Sequence, residues 1–244
     1  MDSQAIATQP VHGHDEHAAH PPYLRHHFAT VEQQRETASF GMWLFLLTEI
    51  MFFGGMFAAY LIYRNWYYPA FVAGSHQLSI FLGTFNTAVL ICSSFTMAMG
   101  VHAAEMKWRK PLVGWLLATI VLGSVFLGVK AVEYHEKWEK QHVPGLNFNA
   151  ENFIHPTDSE PPLAPDMAAK TQVYFSLYFA MTGMHALHMI IGISILLVLV
   201  VRAWGGAYTQ GHMTTIENFG LYWHFVDIVW IFLFPLLYLI SRHQ

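Results

Sequence analysis

Five long apolar runs, separated by polar segments, dominate the chain. A helix rises about 1.5 Å per residue, so about 20 apolar residues cross the hydrocarbon core of a bilayer. Runs of this length predict an all-α, polytopic membrane protein whose five transmembrane helices form a bundle. The predicted spans are residues 39–63, 78–101, 112–132, 173–201 and 219–240.

The polar segments differ in length and character. Residues 1–38 hold six histidines and three prolines, and we interpret them as a solvated tail that has too few apolar residues to form a core. The alternative, metal capture by its histidines, is less favoured because loose histidine tracts bind metals unselectively. Residues 39–241 form the predicted transmembrane domain. Within it, a proline-rich loop is predicted over 133–172.

Composition supports a lipid environment and excludes several kinds of site. Residues are 54% hydrophobic and only 11% charged, against about 25% charged in soluble domains. The net charge of −4 gives no indication of a nucleic-acid partner. A single cysteine, Cys92, excludes a disulfide framework, a cysteine-based zinc site and an iron–sulfur cluster carried by this chain alone.

The basic residues give an orientation. The short loop at 102–111 carries the cluster KWRK, which favours a cytoplasmic N-terminus by the positive-inside rule. Basic residues at the inner ends of the spans are candidates for binding anionic lipid headgroups, although ordinary positive-inside placement explains them nearly as well. These candidates are Lys107, Arg109, Arg202 and His212.

Glu49 is the one formal charge in the first span. At about ten residues into the helix it lies roughly 15 Å deep, where an isolated carboxylate is costly. His188 lies about 14 residues before Arg202, or roughly 20 Å from the same face. We therefore predict a hydrogen bond or ion pair between Glu49 and His188. A proton- or lipid-linked role for Glu49 and a purely structural one both stay open.

Histidine and aspartate residues also lie inside the fourth and fifth spans. His185 and His188 are one turn apart, as are His224 and Asp227. We interpret these four as packing or partner groups rather than haem or metal ligands, because two histidines without cysteine are a weak metal signal. No metal site is predicted. Lys130, near the end of its span, is expected to extend towards the membrane surface.

Several stretches resemble the subunit III family of the haem–copper cytochrome c oxidases. The resemblance covers about residues 36–241 and samples all five spans in the family order. Its most specific pair is TGMHALHMIIG with YWHFVDIVW. The other matching stretches are LTEIMFFGGMF, NTAVLICSSFTMAMGVHAAE and KAVEYHE.

The resemblance implies a function. Members of the family carry no haem, copper or catalytic residue of their own; they pack against the catalytic subunit, bind phospholipid and support proton uptake. It implies an accessory, non-redox subunit of a proton-pumping oxidase that passes electrons from cytochrome c to oxygen in aerobic respiration. The implied partners are oxidase subunits I and II, which hold the haem and copper, together with phospholipids. A larger respiratory supercomplex in the bacterial plasma membrane is also compatible with it.

Individual residues also carry over from the family. The membrane glutamate that reacts with carbodiimides matches Glu49, and the paired histidines match His185 and His188. The basic residues that bind lipid headgroups match Arg202 and His212. The usual mitochondrial form has seven spans, and the resemblance implies that this chain corresponds to the last five. On that expectation, one wall of the family's lipid cleft would be missing.

Other functions remain open at this level. The chain could serve a quinol oxidase, or it could be the related protein associated with nitric oxide reductases. A different class is a stand-alone haem or metal transporter that uses His185, His188, His224 and the N-terminal tail. Copurifying chains would separate these alternatives.

Overall fold

The five-helix prediction is confirmed. A computed structural model describes residues 28–155, 162–206, 208 and 213–240, and the secondary structure of these residues is entirely helical. Five of their helices are long and apolar enough to cross a membrane. In chain order the helices are α1 (Val31–Trp66), α2 (Tyr68–His76), α3 (Ile80–Glu105), α4 (Arg109–Glu139), α5 (Glu151–Ile154), α6 (Pro165–Trp204) and α7 (Met213–Tyr238).

The first transmembrane helix begins earlier than predicted. Thr30 caps α1 by accepting a hydrogen bond from the Gln33 backbone N–H at 3.1 Å. The polar residues from Val31 onward are good helix formers and continue into the span without a break, so the predicted tail of 1–38 is too long. Its histidine-rich part, residues 1–27, lies outside the described residues.

The predicted loop over 133–172 is also too long. Helix α4 continues to Glu139, and α6 begins at Pro165, where the fixed φ of proline suits the first helical turn. Glu133 and Lys137 therefore belong to a helix, and each is only 1% exposed. The short helix α2, which was not predicted, packs against α6.

Trp223 of α7 joins the four helices at the centre of the bundle. Its indole N–H donates to Ser93 of α3 at 3.1 Å. The same ring fills the space where side chains would stand at Gly123 of α4 and Gly192 of α6, with ring atoms 3.1 Å and 2.9 Å from an ideal Cβ. These glycines are required because the ring approaches the two helix backbones so closely.

Helix α1 lies at the edge of this core. It packs against α6 and α7. Its buried residues, Leu46, Phe53 and Tyr60, recur every seven positions and so form one narrow stripe. The opposite face is open: Met51 is 73% exposed, and a Cβ added at Gly55 would meet no atom within 4 Å.

Candidate functional site

The predicted contact between Glu49 and His188 is present. His188 Nε2 lies 3.1 Å from Glu49 Oε2, which connects α6 to α1. Both side chains are mostly buried, at 18% exposed for Glu49 and 12% for His188. The depth estimate works because helical rise is uniform, so residues at equal distance from one membrane face can meet.

A second hydrogen bond fixes the tautomer of His188. Its Nδ1 lies 2.8 Å from the Met184 carbonyl oxygen, which can only accept, so Nδ1 carries a hydrogen. In a neutral ring, Nε2 is then an acceptor and Glu49 must donate as a carboxylic acid. In a cationic ring, Nε2 donates to a Glu49 carboxylate. Either way, the pair holds one proton between its two atoms.

Aromatic residues surround this pair. The Phe53 ring lies 5.4 Å from the His188 ring, measured between centroids. The Tyr222 hydroxyl donates to the His188 carbonyl oxygen at 2.9 Å, which attaches α7 to the same turn of α6. Next to them, α1 and α7 enclose an almost wholly apolar groove of about 550 Å³, lined by Phe53, Ile50 and Phe225 among others. The pair therefore has little access to water.

A second buried carboxylate, Glu133, was missed at the sequence level. It accepts hydrogen bonds from the hydroxyls of Tyr178 at 2.8 Å and Tyr238 at 2.5 Å. Lys130 Nζ donates to its other oxygen at 3.0 Å and to the Tyr238 hydroxyl at 2.9 Å. We call Lys130, Glu133, Tyr178 and Tyr238 the Glu133 cluster; it joins α4, α6 and α7.

The Glu133 cluster corrects the expectation that Lys130 extends to the membrane surface. Lys130 is only 3% exposed, and its ammonium lies 5.0 Å from the Trp230 ring centroid. The helical spacing explains the inward orientation, because Lys130 and Glu133 are one turn apart on the buried face of α4. The sequence did carry a signal for this cluster: a basic and an acidic residue lie one helical turn apart at the end of an apolar run.

The two neighbouring histidines of α6 face different helices. His188 contacts α1, whereas the fully buried His185 packs between Phe126 of α4 and Trp230 of α7 at centroid distances of 5.3 and 5.2 Å. Within the described residues, no group of three or more His, Cys, Asp or Glu could hold a metal ion. The packing interpretation of His185 remains a prediction.

His224 and Asp227 lie at a separate place, between α3 and α7. His224 Nδ1 forms a 2.6 Å hydrogen bond with the Ser94 hydroxyl. Asp227 is 3% exposed and lines a cavity with both of these residues. Neither Glu49 nor His188 lines this cavity, so the structure separates the two predicted polar sites.

Of the four headgroup candidates, one lines a suitable groove. Arg109 and Lys110 stand with Trp204 above the apolar residues Val113 and Leu117 at one end of α4, in a groove of about 500 Å³. A cationic rim over an apolar groove suits a phospholipid headgroup with its acyl chains. Elsewhere, Arg202 stacks over the Tyr208 ring at 5.9 Å, Lys107 forms the left-handed turn after α3, and His212 lies outside the described residues.

Comparison with known proteins identifies the family. The profile of the family described as Cytochrome c oxidase subunit III matches residues 16–139 and 163–242. The chain belongs to this family. Cytochrome c oxidase subunit 3 of Thermostichus vulcanus is 32% identical over 203 residues, which cover 83% of this chain and 87% of that protein. The resemblance found from the sequence motifs is therefore confirmed.

Further relatives of this subunit III family member come from distant organisms. Cytochrome c oxidase subunit 3 of Papio hamadryas is 30% identical over 226 residues, covering 88% of this chain and 73% of that protein. Cytochrome bo(3) ubiquinol oxidase subunit 3 of Pseudomonas aeruginosa is 29% identical over 202 residues, covering 83% and 84%. Both kinds of oxidase subunit are thus similar to this chain in sequence.

Proposed function

We propose that this subunit III family member is an accessory, non-redox subunit of a proton-pumping haem–copper terminal oxidase. The family match over most of the chain carries the proposal. The chain packs against the catalytic subunit, and haem and copper reside in partner subunits I and II. It spans the bacterial plasma membrane five times with its N-terminus in the cytoplasm, as the basic cluster at 107–110 supports.

Within that complex, the Glu49–His188 pair holds an exchangeable proton. The hydrogen bond from His188 Nδ1 to a backbone carbonyl supports this role, because it leaves one proton for the two facing atoms. The proton can lie on either atom without changing the charge of the pair. Glu49 is therefore the proposed carbodiimide-reactive carboxyl, while His185 has a packing role.

Phospholipid binding forms the second part of the proposal. The groove below Arg109 and Lys110 offers a cationic rim for a phosphate and an apolar wall for acyl chains. The groove between α1 and α7 is apolar along its length and suits acyl chains alone. Together the two grooves support lipid binding at two sides of the bundle.

Cytochrome c is the proposed electron donor. Two of the relatives described above are subunits of cytochrome c oxidases, at 32% and 30% identity. A quinol donor is the second candidate, because the ubiquinol oxidase subunit from Pseudomonas aeruginosa is nearly as similar.

Purification of the native complex tests the proposal. We expect a tagged chain, extracted in mild detergent, to copurify with haem–copper subunits and to support oxygen consumption with reduced cytochrome c. If oxygen is consumed with quinol alone, the proposed donor changes from cytochrome c to quinol and the subunit role stands. Recovery of the chain without a haem–copper partner, or with stoichiometric haem or metal of its own, would overturn the proposal in favour of a transporter.

A further inference from the structure

Asp227 lies near the middle of α7 and of the membrane. It is about ten residues beyond Glu217, or roughly 15 Å along the helix, and its side chain is 97% buried. Neither carboxyl oxygen has a hydrogen-bond partner of good geometry within the described residues, and the nearest polar group is the Ser94 hydroxyl. The Ser94 hydroxyl also forms a 2.6 Å hydrogen bond with His224 Nδ1, so it is shared between two residues. A carboxyl at this depth is costly without a partner, so its position calls for one.

The carboxyl faces a cavity of about 350 Å³ between α3 and α7. We call this cavity the Asp227 notch; it is lined by Leu90, Ile91, Ser94, His224, Asp227 and Ile231 among others. Its rim faces outward from the bundle, since Ile91 is 55% exposed and Ile231 45% exposed. The notch is thus an opening in the membrane-facing surface with polar groups on its floor.

The depth of the notch restricts what can fill it. A lipid acyl chain has no hydrogen-bond donor, and lipid headgroups lie at the interface, about 15 Å from the bilayer centre. Water is scarce in the hydrocarbon core. A transmembrane helix is the element that brings a polar side chain to this depth, with its backbone groups already satisfied.

The two sides of α7 differ in this respect. The groove towards α1 is lined almost wholly by apolar atoms and requires no donor. The notch towards α3 has a carboxyl acceptor on its floor and an apolar rim, the pattern of a helix–helix contact centred on one interhelical hydrogen bond. The chemistry therefore selects the α3–α7 face for a protein partner.

We propose that the Asp227 notch is the docking site for a transmembrane helix of the oxidase's catalytic subunit, which inserts a hydrogen-bond donor side chain against Asp227. A lysine, arginine, tryptophan or amide side chain on that helix would supply the donor, since a carboxyl oxygen accepts from each of them. This inference rests on the proposed function and specifies which face of the chain binds the partner.

Photo-cross-linking in the intact complex tests the docking face. A photoreactive phenylalanine analogue replaces Ile91 or Ile231 at the rim, in an otherwise unchanged chain. The control position is Val198 of α6, which is 57% exposed on another face. We expect cross-links to the catalytic subunit from both rim positions at more than ten times the yield from Val198.

Substitution of the carboxyl gives a second, independent measurement. Asp227→Leu should lower the fraction of chain retained in the complex about tenfold during detergent washing, and Asp227→Asn should lower it less because its amide still accepts a hydrogen bond. The matched control, Ser194→Leu, removes an exposed hydroxyl that bonds only its own helix at Ile190, and it should leave retention unchanged.

The outcomes separate this inference from the proposed function. If the chain copurifies with the catalytic subunit but the rim positions cross-link only lipid, or a second copy of the chain, the docking site is overturned and the subunit role stands. Cross-linking from Val198 instead would likewise overturn it. If the chain never copurifies with a haem–copper subunit, the proposed function itself fails.

Discussion

Glu49 and Glu133 are both buried carboxylates on membrane-spanning helices, yet their surroundings differ. Glu133 is 1% exposed and accepts hydrogen bonds from a lysine and two tyrosines of three helices. Glu49 lies on α1, at the edge of the bundle, and is 18% exposed. Its partner is the imidazole of His188 on α6. The charge of Glu133 is thus neutralised by a complete set of partners, whereas Glu49 shares a single proton with His188.

Because its carboxylate charge is fully compensated, we expect Glu133 to have a structural role. A buried ion pair stabilises the fold no more than a well-packed apolar pair would. Removing one partner, however, leaves an uncompensated buried charge and is strongly destabilising. Glu49, by contrast, is held by one contact, to His188 of α6. It lies on α1, whose buried residues form a single stripe. We therefore expect damage at the Glu133 cluster to affect the whole bundle, and damage at Glu49 to affect the attachment and protonation of α1.

The largest effect is expected for Lys130→Met. Loss of the ammonium leaves the Glu133 carboxylate buried without its cation and should destabilise the chain by about 3–5 kcal/mol. Thermal unfolding of the purified complex measures this loss. The control is the double variant Lys130→Met/Glu133→Leu, which removes both charges and should lose less than Lys130→Met alone. A double variant as unstable as the sum of its single variants would contradict the cluster.

A smaller effect is expected for His188→Leu. The change removes the partner of Glu49 and should cost about 1–3 kcal/mol, mainly by weakening the contact of α1 with α6. Proteolysis or hydrogen exchange of α1 within the complex locates the change. Unchanged protection of α1 would show that the apolar stripe alone holds the helix. His185→Leu should instead affect α4 and α7, because His185 packs between them.

Acid should loosen the loop beside the Glu133 cluster. His142 stacks between Phe175 and Phe153, and burial lowers its pKa from 6.5 to about 4. The unfolded segment therefore binds more protons between these values. The stability of the loop is complete above about pH 6.5 and declines as the pH falls towards 4, by about 1 kcal/mol or more at pH 5.

Hydrogen exchange over residues 140–155 at pH 7 and pH 5 measures this effect. The control is His142→Phe, which keeps the aromatic stack and should remove the pH dependence. A loop that loosens equally in the His142→Phe variant would place the titrating group elsewhere.

The smallest effect on stability, below about 1 kcal/mol, is expected for Glu49→Gln. The glutamine amide can donate to His188 Nε2 in place of the carboxylic acid, so assembly should remain intact. Carbodiimide labelling should disappear, because the reactive carboxyl is gone. Peptide mapping of the unchanged chain should find the adduct at Glu49 and none at Glu133, and an adduct at Glu133 would reverse the assigned characters of the two carboxylates.

The two carboxylates also show how far the sequence predicts the site. Glu49 stands out as one charge in an apolar run, and depth along two helices identifies His188 as its partner. The five spans follow from the same regularity. Both predictions depend only on helical rise and on the thickness of the bilayer.

Glu133 escaped prediction for a physical reason. Its partners Tyr178 and Tyr238 come from distant parts of the chain, and their meeting depends on how the helices rotate and pack. The apolar run ends before Glu133, although α4 continues to Glu139 because the cluster satisfies its polar side chains inside the bundle. Asp227 shows the same limit, since its depth was predictable but the cavity between α3 and α7 was not.

The hydrogen bond from His188 to the Met184 carbonyl limits how protons can travel. An imidazole that relays protons takes one up at one nitrogen and releases another from the opposite nitrogen. Here the Nδ1 hydrogen is directed at a backbone oxygen of the same helix, so Nε2 is the exchanging atom and it faces Glu49. A proton that enters through Glu49 must leave through Glu49. We therefore expect the pair to act as a proton store with a single entrance rather than as a segment of a conducting wire.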